Sequence, residues 1–208
     1  MGRGEADVQW ATVTQAEPVT EPVTGPVGDP VVVPGSLVRR RPVPTTRRLL
    51  ADLVPPRHFT HESFDTYRPD PGHPSQAAAL ARLRQVADAV SRPPALPLFR
   101  RRLPPRPAVY LDGGFGVGKT HLLASLAHAV GTERTAYGTF VEFTHLVGAL
   151  GFPATVAALA RYTLVCIDEF ELDDPGDTML MTRLVRELSD RGVALAVTSN
   201  TLPESLGQ

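Results

Sequence analysis

The sequence is nearly without lysine: one, Lys119, stands against 20 arginines in 208 residues. Cysteine is as scarce. Cys166 is alone, so no intrachain disulfide can form, and a reducing, cytoplasmic setting is the expectation. No apolar stretch follows a basic cluster near the first residue, so no secretory signal is read there. The least polar segment, Val147 to Ala160, has 14 residues and contains a proline. A bilayer span needs roughly 20 apolar residues, so no transmembrane segment is expected. Net charge is −1, which excludes a bulk polycation whose only task is to coat nucleic acid. At 42% hydrophobic and 21% charged residues, the chain is globular in class and long enough for one ordinary domain.

Proline and charge are unevenly spread. Of 21 prolines, 18 fall in the first 107 residues. Residues 1–35 sum to −4, residues 36–107 to +9 and residues 108–208 to −6. Residues 17–34 repeat Glu-Pro-Val-Thr and related units, and a proline at every fourth position removes the donors that helix and sheet require. Residues 1–62 therefore read as a Pro/Arg-rich disordered or extended segment, 63–106 as a helical lead-in and 107–208 as the core. A docking motif for an aromatic groove is the functional alternative for the front, and only composition supports it. Arg39–Arg41, Arg47–Arg48 and Arg100–Arg102 could touch phosphates, but no aromatic residues are interleaved as stacking platforms, so solvated loops are the better reading. His58 and His61 have no partner ligands nearby, so no metal site is read there.

Ser75 can cap a helix over Gln76–Val90, with Leu80, Leu83, Ala87 and Val90 on one stripe and Pro93-Pro94 ending it. Ala108–Leu111 then reads as a buried parallel strand. It leads directly into Gly113-Gly114-Phe115-Gly116-Val117-Gly118-Lys119-Thr120, which fits the phosphate-loop pattern G-x-x-x-x-G-K-[ST]. Glycines let backbone N–H groups turn inward around phosphates, and the following helix points its positive end at the same charge. Lys119 would reach the β- and γ-phosphates of ATP, and Thr120 would hold Mg²⁺. The only lysine stands where a compact ammonium suits better than a guanidinium fork. The helix after the loop shows Leu123, Leu126, Ala127 and Val130 on one face and ends at Gly131.

Thr163–Ile167 is an apolar run ending in Asp168-Glu169, the arrangement of a Walker B strand. Asp168 would bind Mg²⁺, mainly through its water shell, and Glu169 would polarise the attacking water. Asp173, Asp174 and Asp177 go to structure, with Asp174 capping a helix that starts at Pro175. Cys166, inside the strand, reads as a buried inert thiol. A strand over Val193–Val197 is followed by Thr198-Ser199-Asn200. Alone, Asn200 is a turn former ahead of Pro203; in register with the other motifs it reads as a γ-phosphate sensor. Between these lie an expected strand over Gly138–Phe143, helical segments over Leu146–Leu150 and Pro153–Ala160, and a helix over Gly176–Arg191 with Met181, Leu184, Val185 and Leu188 on one face. Alternating strand and helix imply an α/β fold, a parallel sheet flanked by helices, with ligands beyond the strand C-termini, where all three motifs fall.

In this order, Phe64-Asp65-Thr66-Tyr67, His73-Pro74-Ser75-Gln76, Gly113–Thr120, Cys166-Ile167-Asp168-Glu169-Phe170 and Thr198-Ser199-Asn200 resemble the ZapE cell division ATPases and the related mitochondrial lactation-elevated ATPases, over about Phe64 to Gln208. The resemblance implies an AAA+-like P-loop NTPase, ATP hydrolysis with Mg²⁺, protein partners in the division machinery, and assembly into a homo-oligomer at full length. Lys119, Thr120, Asp168, Glu169 and Asn200 match the family's functional positions. Phe115, Val117 and the Pro-rich front depart from its pattern. Relatives also continue past Asn200 with a strand, an arginine finger and a lid. Their absence is expected to leave Ala108–Leu111 at a sheet edge. Loss of such an arginine slows phosphoryl transfer by roughly 10³–10⁵, so impaired hydrolysis is expected of this chain. Nucleic acid is not the expected partner. Two other readings stay open: a DNA-associated AAA+ protein of the helicase-loader kind, supported by the +9 segment, and a non-catalytic nucleotide-binding fragment.

Overall fold

A computed structural model describes residues 45–92, 106–170 and 175–200, all within the compact unit Val43–Gln208. Four strands, β1 (Ala108–Asp112), β2 (Thr135–Thr139), β3 (Leu164–Asp168) and β4 (Ala194–Ser199), form one parallel sheet in the order β1-β4-β3-β2. Among the described residues six α-helices accompany them: α1 (Thr46–Ala51), α2 (Pro74–Ser91), α3 (Lys119–Val130), α4 (Phe140–Leu150), α5 (Phe152–Leu159) and α6 (Pro175–Asp190).

The strands alternate side chains between two cores, one on each face. Val165 and Ile167 of β3 and Leu195 and Val197 of β4 meet Phe143, Leu146, Leu159, Met181, Leu184 and Leu188 from α4, α5 and α6. Leu164, Cys166, Ala194 and Ala196 face α3 and α2 on the other side. The small residues of β4 let α3 lie close to the sheet. The single stripe read for α3 is too narrow: Leu122, Ala124 and Ser125 are buried as well. The cause is α2, which packs over the outer face of α3 and makes it an interior helix.

Three expectations need correction. Gly138–Phe143 is not a strand: β2 stops at Thr139, whose side chain accepts from the Glu142 N–H while Glu142 reaches back to the Thr139 N–H. That reciprocal pair starts α4 at Phe140, six residues earlier than the Leu146 start read from the sequence. Ser75 is not the cap of α2; His73 is, and Pro74, with its fixed φ, opens the helix. Residues 45–62 are not extended: Thr45 caps α1, and Leu53, 5% exposed, enters the core beside β2. The readings on Asp173, Asp174, Arg39–Arg41 and Arg100–Arg102 lie outside the described residues. Among the described residues no single helix is long and apolar enough to cross a membrane.

Candidate functional site

The turn from β1 into α3 runs through Gly113–Gly118. Gly116 and Gly118 have φ of 76° and 89°, left-handed values that favour glycine. Gly118 is doubly constrained, since a Cβ there would stand 2.6 Å from Cε2 of Tyr67. The Tyr67 hydroxyl donates to the Val117 carbonyl at 2.9 Å, so the lead-in pins the loop at two consecutive residues. His121 and His128 of α3 tie the same lead-in down: His121 Nε2 lies 3.1 Å from Thr66 Oγ1, and His128 Nδ1 lies 2.8 Å from the Glu62 carbonyl.

Lys119 opens α3, and its ammonium donates to the carbonyls of Gly113 and Gly114 at 2.7 and 2.8 Å. Desolvation holds its pKa below the usual lysine range; Asp168, Asp112 and Glu169 pull the other way without overcoming it. The two carbonyls that hold the ammonium are neutral, which leaves its charge available to a phosphate.

Asp168 ends β3 at 4% exposure. Its Oδ2 accepts from the Tyr137 hydroxyl at 2.7 Å, and its Oδ1 accepts from the Thr198 hydroxyl, from Thr120 Oγ1 at 3.4 Å and from the Glu169 N–H at 3.2 Å. Burial first, then the Asp168 charge, push the Tyr137 phenol far above its ordinary pKa, so it stays a donor. Burial likewise pushes up the Cys166 thiol, in keeping with an inert side chain. A carboxylate and a hydroxyl 3.4 Å apart form a hard-oxygen pair that suits Mg²⁺.

Glu169 is unlike its neighbour. It is exposed, and its φ of 54° is the only positive value at a non-glycine among the described residues. Thr198 of β4 supports that turn, accepting the Glu169 N–H on Oγ1 at 3.0 Å and the Phe170 N–H on its carbonyl at 2.7 Å. The Phe170 ring meets Phe140 edge-on at 5.3 Å. Glu169 is thereby turned toward a cavity of about 360 Å³ lined by Gly116, Gly118, Lys119, Thr120, Asp168 and Asn200 among others. Phe115, at the loop tip, is exposed on its rim. Gly113 and Val117 line an adjoining apolar cavity of about 450 Å³, which meets the first at Lys119. Gly114 contributes the carbonyl that holds Lys119.

Every site residue read from the sequence therefore falls in or beside one place. Three contacts were not read: Tyr67 on the loop, and Tyr137 and Thr198 on Asp168. Tyr137 carried a signal, since a tyrosine inside a buried strand must find a partner for its hydroxyl.

A family model described as AFG1-like ATPase matches residues 43–208. The Escherichia coli K12 cell division protein ZapE is 33% identical over 109 residues, covering 47% of this chain and 29% of that protein. The chromosomal replication initiator protein DnaA of Xanthobacter autotrophicus is 32% identical over 141 residues, covering 64% of this chain and 26% of that one. The chain thus spans under a third of the length of either relative. Among solved structures, the replication initiator DnaA bound to AMPPCP and single-stranded DNA has the same fold, with a TM-score of 0.54 at 13% identity over 71% of this chain and 44% of the other.

Proposed function

Because the chain belongs to the AFG1-like ATPase family, we propose that it binds ATP with Mg²⁺ and hydrolyses it to ADP and phosphate. The observation that carries this reading is convergence: the phosphate loop, the Asp168–Glu169 pair and Asn200 come from separate elements and line one cavity. The loop N–H groups and Lys119 hold the phosphates, with Lys119 exchanging its two loop carbonyls for phosphate oxygens. Thr120 and Asp168 would hold the magnesium ion, whose charge would offset that of the phosphates. Glu169 takes a proton from the water that attacks the γ-phosphorus, as the bond to the ADP oxygen breaks. Asn200 hydrogen-bonds that water or the γ-phosphate. The adenine ring would fit the adjoining apolar cavity beside Val117.

The likeness to the cell division protein ZapE supports a role in cell division; our reading adds action on protein partners of the division machinery, at the cytoplasmic side of the membrane and as a homo-oligomer. A second reading, action on DNA, has its own support in the longer match to DnaA. The two part in a binding assay: a DNA complex that weakens steeply with salt favours the second. The nucleotide reading is tested with a fluorescent ATP analogue and Lys119→Ala. Saturable binding to the unsubstituted chain, lost in the variant, is the expected result. Equal affinity in both sinks it.

A further inference from the structure

We infer that Thr198 and Tyr137 are positioning residues that aim Asp168 at the nucleotide's divalent cation, an inference that rests on reading the site as one for ATP and Mg²⁺. Asp168 sits on β3, and the two hydroxyls come from the strands on either side, Tyr137 from β2 and Thr198 from β4. Each takes a different carboxylate oxygen, so the plane of the carboxylate is fixed from both flanks. Both partners are neutral. An arginine or lysine in either place would cancel the charge a cation needs; a hydroxyl orients the group and leaves that charge in place.

Thr198 does more than Tyr137. Its Oγ1 also accepts the Glu169 N–H, and its carbonyl accepts the Phe170 N–H. One residue of β4 thus holds both the carboxylate and the left-handed turn that follows. Asn200 lies two residues further along the chain, so β4 links the sensor position to the cation ligand.

The competing account is that the hydroxyls only satisfy a buried acid. It predicts a less stable fold with unchanged cation dependence. Thr198→Val and Tyr137→Phe keep shape and remove one hydroxyl each. The measurement is the shift in melting temperature caused by a non-hydrolysable β,γ-methylene ATP analogue, in EDTA and across a Mg²⁺ titration. In both variants the Mg²⁺ midpoint is expected to rise about 10–100-fold, the usual consequence of losing such a partner. The shift in EDTA stays as in the unsubstituted chain, and Thr198→Ser restores the midpoint. Unchanged midpoints overturn the inference, whatever happens to the melting temperature without nucleotide. So does an equal loss of the shift in EDTA and in Mg²⁺. If the valine variant does not fold, Tyr137→Phe, which retains the buried ring, decides alone. A chain without substitution that shows no Mg²⁺-dependent shift overturns the proposed function and this inference together, which separates that failure from the others.

Discussion

Asp168 and Glu169 adjoin in sequence and differ in every physical respect. The first is buried among four donors; the second is exposed on a left-handed backbone. A group so fully engaged suits a fixed ligand, and one that is open to the cavity suits proton transfer. Glu169→Gln keeps size and polarity but removes the base. It is expected to bind nucleotide as the unsubstituted chain does and to release phosphate about 10²–10⁴-fold more slowly. A colorimetric phosphate assay beside a binding titration checks this; full turnover in the variant would remove Glu169 from the chemistry. Both acids and Lys119 could be read from the sequence because motif spacing along one chain is enough to place them. Tyr137 could not, since its role depends on a register between strands, with Tyr137 opposite Cys166, that the linear sequence does not print.

The join between β2 and α4 shows the same limit one scale up. Gly138–Phe143 carries enough aromatic and β-branched character to pass for a strand. The deciding contact is local and polar, the reciprocal pair between Thr139 and Glu142. Thr139→Ala removes the acceptor for the Glu142 N–H and is expected to lower stability by about 1 kcal/mol. A urea unfolding midpoint reads this directly, and an unmoved midpoint would mean that α4 is set by packing alone. Strands β3 and β4 were easier, because buried parallel strands are continuous apolar runs bounded by polar turns; β1 is as apolar in sequence and was read as buried, yet it is only half-buried, because it lies at the edge of the sheet.

For the molecule as a whole, the sheet has two edges, and the described residues treat them differently. At β2 the Tyr137 N–H donates to the Leu53 carbonyl at 3.0 Å, and the Leu53 side chain lies over Gly138, where an added Cβ would stand 3.1 Å from Leu53 Cδ2. The segment after α1 thus closes that edge and joins the core cluster that holds Phe143 and Ile167. At β1 no strand lies on the far side among the described residues. Leu53 stands in a stretch whose prolines and arginines resemble those of a linker, and nothing in its local pattern marks it as core. Only tertiary pairing does so. Leu53→Ala therefore discriminates between the two descriptions of residues 45–62. A leucine in an extended segment would change stability by a few tenths of a kcal/mol, while a core leucine costs about 2–5 kcal/mol. The larger value is expected from urea unfolding of the whole chain. Since a domain of this kind is held by only about 5–15 kcal/mol in all, the nucleotide site would lose occupancy along with the fold.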